Sequence, residues 1–142
     1  MVMSKKRIGI FTASLDDEYQ STLWSAISHA IVKRGFSSIS FLGSVLGSPI
    51  ASEASSNIAY RLANDQNIDG LIIISSSVAT FLNSKDLREY FSAWANIPRV
   101  SIGMKIPGMS DVTVDSEPSV SELVQHLYTV HNRRKFAMID GP

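Results

Sequence analysis

The sequence predicts an α/β fold of three layers, in which helices cover both faces of a doubly wound, mostly parallel sheet of about six strands. Short apolar runs rich in β-branched residues alternate along the chain with stretches of helical periodicity. Such alternation is typical of a sheet built from right-handed crossovers. Most of the runs are continuously apolar, as expected for strands that are covered on both faces. The 142 residues are the size of one domain.

The apolar runs give the predicted strands in order. They are residues 8–13, 38–42, 70–74, 99–102, 111–114 and 135–139. The fifth run is short, and the others are separated by helical stretches. The predicted order is therefore β-α-β-α-β-α-β, a short strand, and a final α-β pair.

The first two helical stretches are residues 18–33 and 52–66. In the first, apolar side chains recur every three or four positions, and Arg34 and Gly35 supply a basic last turn and a stop. In the second, the same spacing places three residues on the predicted inner face. These are Ala54, Ile58 and Leu62.

The remaining two helices begin at recognisable start signals. Ser84 is a candidate N-cap, and Pro98 ends the third helix. The fourth begins near Pro118. The predicted inner faces are Leu87, Tyr90, Phe91 and Trp94 for the third helix, and Val120, Leu123, Leu127 and Val130 for the fourth.

Composition excludes several classes of function. Thirteen Lys and Arg balance thirteen Asp and Glu, so no net field attracts nucleic acid or an anionic membrane. The chain has no cysteine, which excludes disulfides, thiol catalysis and thiolate metal sites. No run reaches the ~18 apolar residues of a membrane span, and acidic residues follow the first apolar run where a signal peptide would be cleaved. We expect a cytoplasmic protein with neither nucleic acid nor membrane as direct partner.

Ligands of an open parallel sheet bind beyond the carboxyl ends of its strands. Hydroxyls and carboxylates dominate this edge and cations are few, which suits hydrogen bonding to a small polar molecule such as a sugar or nucleoside. Helix capping and loop solvation are the alternative explanation for the same residue types. The polar residues after the first, third and fifth strands include Ser14, Asp16, Asp17, Tyr19, Ser75, Ser76, Ser77, Asp115 and Ser116.

The sequence lacks the common catalytic and nucleotide-binding motifs. Residues 43–48 lack the lysine of a phosphate-binding loop, no G-x-G-x-x-G follows the first strand, and no G-x-S-x-G elbow is present. Ser75 stands where a phospho-receiver domain would have an aspartate. We expect no catalysis from this segment. The alternative is a small doubly wound hydrolase or transferase that uses Asp16 or Asp17 in the loop at the switch point.

The histidines predict no metal site. His29 and His126 fall on the polar faces of their helices, and His131 lies in a basic last turn where a cation complements the helix dipole. No pair has metal-ligand spacing on one helix face. We therefore predict neither a metal nor a cofactor.

Several local motifs also occur in a familiar order. They are Arg7-Ile-Gly-Ile, the loop of residues 15–19, Ile68-Asp-Gly-Leu-Ile-Ile, Ile97-Pro-Arg-Val, Val112-Thr-Val-Asp115, His126-Leu and Arg133-Arg-Lys-Phe-Ala-Met-Ile-Asp-Gly-Pro142. In this set the chain resembles the N-terminal lobe of the sensor domain of the lac repressor family, which has the type 1 periplasmic-binding-protein fold. The resemblance runs over essentially the whole chain.

The resemblance implies that residues 1–142 form a single α/β lobe, one piece of a longer two-lobed sensor with its ligand in the cleft between lobes. The second lobe would follow Pro142. It implies a small-ligand-sensing regulatory domain of a bacterial transcription regulator or signal-transduction protein, working as a homodimer. Mapped residue by residue, the implied ligand-binding set is Ser14, Asp17, Tyr19, Ser75, Ser76 and Asp115.

Two features depart from the lac repressor pattern. The family often carries aspartate and arginine after the fourth strand, where this chain has Gly103 and Met104. The segments Val100-Ser-Ile-Gly103 and Val130-His-Asn-Arg-Arg look closer to related sensors fused to histidine kinase or diguanylate cyclase outputs.

Overall fold

The computed structural model describes residues 5–139. Its sheet has five strands in the spatial order β2-β1-β3-β4-β5, and every neighbouring pair is parallel. The predicted α/β class is confirmed, with five strands in place of about six. The strands are β1 (Arg7–Thr12), β2 (Ser37–Leu42), β3 (Gly70–Ile74), β4 (Arg99–Ile102) and β5 (Ser110–Val112).

Helices occupy most of the connections. Helix α2 (Ala51–Ser56) continues directly as a 3₁₀ helix, Asn57–Leu62, and a second 3₁₀ helix, Ser92–Trp94, follows helix α4 (Ser84–Phe91). The predicted bounds of the first helix, residues 18–33, are confirmed. The N-cap of the third predicted helix is Asn83 and not Ser84, because the Asn83 side chain accepts hydrogen bonds from the backbone N–H groups of Lys85 and Asp86. The α-helices are α1 (Glu18–Lys33), α2 (Ala51–Ser56), α3 (Ser75–Val78), α4 (Ser84–Phe91) and α5 (Glu117–Thr129).

The chain divides into two compact units. The first ends at Val112 and contains the whole sheet with α1 to α4; the second, Thr113–Pro142, contains α5. Asp140, Gly141 and Pro142, the last residues of the lac-repressor-like motif set, lie outside the described residues.

Helices cover both faces of the sheet in the first unit. Successive residues of a strand point to opposite faces, so Phe11 and Ile73 face one layer while Ile10 and Ile74 face the other. The first layer is built from the α2–α4 region, with Tyr60, Leu87, Phe91 and Trp94 buried in it; α1 forms the second and buries Ile31. The predicted three-layer arrangement is present.

The prediction of which side chains in residues 52–66 face the core is wrong. Ile58 and Leu62 are 69% and 62% exposed, while Tyr60 and Ala63 are buried. The prediction used the α-helical period of 3.6 residues, but the segment changes to a 3₁₀ helix at Asn57. With three residues per turn, positions 57, 60 and 63 share one face, and that face packs on the sheet.

The end of the chain also differs from the prediction. Residues 135–139 form no regular secondary structure, and Ile139 is 99% exposed. A strand needs a neighbour to accept its ladder hydrogen bonds, and among its described residues the second unit contains no strand. The predicted inner face of α5 is not buried either, because one helix has nothing within its unit to pack against.

Candidate ligand-binding edge

The strand order reverses between β1 and β3. β1 connects outward to β2 on one side, and β3 connects to β4 on the other. At such a switch point the loops after the two central strands diverge, leaving a crevice at their carboxyl ends. The predicted residues Ser14, Asp17 and Tyr19 follow β1, and Ser75 and Ser76 follow β3. The fold therefore gathers all of the implied ligand set except Asp115 around one switch point.

The loop after β1 is held by a helix cap. Asp17 is the N-cap of α1, and its Oδ1 accepts the backbone N–H of Gln20 at 2.8 Å. The Gln20 side chain donates to Asp17 Oδ2, and its Oε1 accepts the Ser14 N–H at 3.1 Å and the Thr12 hydroxyl at 3.2 Å. Gln20 was missed at the sequence level, although its position three residues after an N-cap is the spacing of a capping box. Asp17 is therefore at least a structural residue.

Ser14 and Tyr19 are placed differently within this loop. The Ser14 hydroxyl donates to Asp16 Oδ2 at 3.1 Å and accepts the Asp16 N–H at 2.9 Å, which closes a small turn. Tyr19, in the first turn of α1, is 61% exposed. Its ring is available for stacking on a ligand.

Ser75 ties β3 to the end of β4. Its hydroxyl is fully buried, 2.6 Å from Ser101 Oγ and 2.8 Å from the Ile102 carbonyl oxygen. It also accepts the Met104 N–H at 3.1 Å, and Ser101 Oγ in turn donates to the Met104 carbonyl at 2.6 Å. These contacts use the hydrogen-bonding capacity of the Ser75 hydroxyl within the protein.

Ser76 presents the opposite situation one residue later. Its hydroxyl oxygen is buried and has no hydrogen-bond partner. Most buried polar groups in native proteins are paired, so this unpartnered hydroxyl is a candidate for a ligand contact once the Ser76 side chain rotates toward the edge. Gly103 lies against it, at the end of β4. A second buried hydroxyl without a partner, Ser28 Oγ, lies within α1 and away from this edge.

Tyr60 supports the edge from beneath. Its hydroxyl lies 3.0 Å from the Thr12 carbonyl at the end of β1 and 3.0 Å from the Ser44 carbonyl just beyond β2. Its ring lies where a side chain on Gly43 would otherwise be. Burial raises the pKa of the Tyr60 phenol far above its usual range. The charge of Tyr90 raises this pKa further, and a hydrogen bond with the Gly43 backbone lowers it. Tyr60 therefore stays neutral and acts as a donor.

Asp115 lies in the second unit. It is exposed, and its Oδ1 accepts the backbone N–H of Glu117 at 3.3 Å. This contact serves the first turn of α5, as the capping alternative predicts.

No protein-family model matches the sequence, and neither does any curated protein. Among solved structures, the chain is similar to the trehalose repressor from Escherichia coli, with a TM-score of 0.56 and 21% identity. The similarity covers 88% of this chain and 44% of the repressor. The fold is that of one lobe of a type 1 periplasmic-binding-protein-like domain. The fold implied by the motif order is thus confirmed, and the lobe spans less than half the length of the repressor.

A second concave feature of the lobe lies at the opposite end of the strands. A groove of about 500 Å³ is lined mostly by aliphatic side chains of α1 and of the amino-terminal parts of β1, β3 and β4, among them Ile8, Ile27, Ile31, Ile72 and Val100. It has few polar groups to orient a small polar molecule. We therefore assign the candidate site to the carboxyl edge.

Asp16 and Asp17, on which the enzyme alternative rested, serve the turn and the helix cap described above. Among residues 5–139, no helix combines the length and the apolar character needed to cross a membrane.

Proposed function

We propose that this chain is one lobe of a small-ligand-sensing regulatory domain, and that the ligand binds at the β1–β3 switch point. The observation that carries the proposal is the unpartnered Ser76 hydroxyl at this switch point, which loses no hydrogen bond when its side chain rotates toward a ligand. Ser14 and Tyr19 flank the same switch point, with Tyr19 available for stacking. Ser75 acts in this proposal as a positioning residue, since its hydroxyl is already bonded within the protein.

The ligand class in this proposal is a small polar molecule, sugar-like or nucleoside-like. Hydroxyl-rich edges with few cations recognise neutral polyols through hydrogen bonds, and an aromatic ring packs on their apolar faces. The fold neighbour is a trehalose repressor, which makes disaccharides the first compounds to try. Asp115 belongs to the ligand set on the family resemblance.

In this proposal the ligand is held between the lobe and a second lobe of a longer protein. Closure around the ligand shifts an existing open–closed equilibrium. We further propose that the longer protein works in the cytoplasm as a homodimer, and that an attached output, DNA binding or signalling, reads the closure.

The test is a nuclear magnetic resonance titration of the chain with trehalose, other mono- and disaccharides, and nucleosides. One lobe supplies half of a cleft, so weak binding is expected and the compounds are used at millimolar concentration. A ligand of the proposed class shifts the amide resonances of Ser14, Tyr19 and Ser76. Shifts centred on Ile72 and Val100 would place binding in the apolar groove and overturn the assignment.

Matched variants separate binding from folding. Ser76→Ala and Tyr19→Ala should each weaken binding several-fold and leave the unfolding free energy nearly unchanged, because neither side chain carries a stabilising polar contact in the lobe. Ser77→Ala is the control, since its hydroxyl donates to the Ile74 carbonyl within β3–α3. Equal binding by all three variants would contradict the proposed site.

A further inference from the structure

Two histidines meet at the end of α5. His126 is in the last turn of the helix and His131 lies just beyond it. Their Nε2 atoms are 3.1 Å apart, and the ring centroids are 4.9 Å apart at an interplanar angle of 67°. Both side chains are exposed.

The chain turns back at the helix end and places His131 there. Asn132 adopts a left-handed conformation with φ of 52°, the type of residue that ends helices in this way. The Val130 N–H donates to the His126 carbonyl and the Arg133 N–H to the Leu127 carbonyl, both at 2.9 Å. The turn is therefore fastened on both sides of His131.

A second contact holds the segment after the turn. The Arg134 guanidinium carbon lies 3.9 Å from the centre of the Tyr128 ring, and Arg134 Nη1 donates to the Tyr128 carbonyl at 2.8 Å. The Arg134 guanidinium is thus engaged with Tyr128. His126 and His131 are brought together by an ordered turn.

We propose that His126 and His131 form a two-ligand site for a divalent transition metal ion such as Zn²⁺. Zinc–nitrogen bonds are about 2.0–2.1 Å, so two nitrogens on one zinc are about 2.9 Å apart at a right angle and about 3.3 Å apart at the tetrahedral angle. The observed separation of 3.1 Å falls between these values. The pair has the spacing of a chelate before any metal is bound.

Without metal, the same distance accommodates a hydrogen bond in which one Nε2–H donates to the other ring. On metal binding the donor ring changes tautomer, so that its proton is on Nδ1, and both neutral rings then coordinate through Nε2 lone pairs. In the part of the chain from residue 5 to residue 139, no group of three or more His, Asp or Glu side chains converges on a metal position. Water or an external ligand fills the remaining coordination positions, so the site belongs to the weak, exchangeable class.

The experiment is a titration of the whole chain with zinc, followed by histidine side-chain resonances. We expect the His126 and His131 resonances to shift together and saturate at one zinc ion per chain. His29, exposed on α1, is the internal control and should not move. Zinc should also raise the temperature at which α5 unfolds, because it binds the ordered turn that holds His131 beside His126.

Calorimetric titration of variants completes the test. His126→Ala and His131→Gln should each weaken zinc binding about tenfold or more, since each removes one of two ligands, while His29→Ala leaves it unchanged. Circular dichroism checks that the variants keep α5. Unchanged affinity in His131→Gln, or an equal response of His29, would show that the pair is only hydrogen-bonded and overturn the site. The outcome is independent of ligand binding at the sheet edge.

Discussion

Gly103 and Ser76 are packed so closely that a side chain at position 103 would displace Ser76. A Cβ atom built on Gly103 would lie 2.6 Å from Ser76 Cβ and 2.8 Å from Ser76 Oγ. Gly103 also has a φ of +98°, a conformation that L side chains rarely adopt. These two facts give a physical reason why this chain departs from the lac repressor pattern at Gly103: an aspartate there would collide with Ser76.

Gly103→Ala should therefore destabilise the lobe more than a simple loss of glycine flexibility would. The left-handed conformation costs an alanine about 1–2 kcal/mol, and the overlap with Ser76 adds about 1–3 kcal/mol. Gly108→Ala is the matched control, with φ of +88° and nothing within 4 Å of the added Cβ. Urea unfolding measures both, and equal destabilisation of the two variants would mean that the contact with Ser76 relaxes freely.

Ser75→Ala and Ser76→Ala should differ sharply in stability although the residues are neighbours of the same type. Ser75→Ala leaves the half-buried Met104 N–H without its acceptor and removes the buried link to Ser101, at a cost of about 1–3 kcal/mol. Ser76→Ala removes a hydroxyl that has no partner, so the change should stay within about 0.5 kcal/mol or be stabilising. Chemical denaturation of the two variants in parallel decides this, and a reversed order would contradict the hydrogen-bond assignment.

Tyr60→Phe should lower the unfolding free energy by about 1–3 kcal/mol, because the Thr12 and Ser44 carbonyls lose a buried donor. The ring stays in place, so the aromatic contact between Tyr60 and Phe11, with centroids 4.7 Å apart, is retained. Tyr90→Phe, at a half-buried position, is the control and should cost less. A loss in Tyr60→Phe no larger than in the control would show that the two carbonyls find other donors.

The raised pKa of Tyr60 makes the lobe sensitive to alkali. In the unfolded chain the phenol ionises near its ordinary pKa of 10.0, whereas burial raises the pKa in the folded lobe far above it. The folded state therefore keeps a proton that the unfolded state loses, so the stabilisation is complete below pH 10 and falls as the pH rises above it. The expected loss approaches about 1.4 kcal/mol per pH unit for this one group.

Unfolding free energies of wild type and Tyr60→Phe between pH 8 and pH 11 provide the check. The wild type should lose its advantage over the variant as the pH rises through this range. Burial also raises the pKa of Tyr90, and Arg61 opposes that shift. Because Tyr90 is present in both proteins, its own ionisation is common to the two curves, and their difference reports the ionisation of Tyr60. Parallel pH curves for the two proteins would show that Tyr60 ionises as easily folded as unfolded.

Much of the architecture could be predicted from local pattern alone. The bounds of α1, β3 and β4 agree with the predicted ranges, because continuous apolar runs and a regular 3.6-residue period report burial directly. The prediction of the inner face of residues 52–66 was wrong, because an α-helix changes to a 3₁₀ helix within this segment. Pattern cannot reveal that change, since packing of Tyr60 beneath the sheet edge decides it.

The candidate site divides in the same way. Residue types and strand ends were enough to place Ser14, Tyr19, Ser75 and Ser76 at one edge. The sequence did not show their roles, because the contacts that distinguish Ser75 from Ser76 come from β4 and the residues just after it, 26 to 29 positions further along the chain. The approach of His131 to His126 depends likewise on a turn outside the helical period.

By itself, the sequence determined the α/β class, the order of most elements and the polar character of the carboxyl edge, because each depends on side chains close together along the chain. Only the tertiary structure decided the order β2-β1-β3-β4-β5, the absence of a strand at residues 135–139 and the orphaned hydroxyl of Ser76. These depend on which distant segments supply hydrogen-bond partners and which leave a group without one. Pairing between distant residues is a property of the folded chain and is not encoded in any local period.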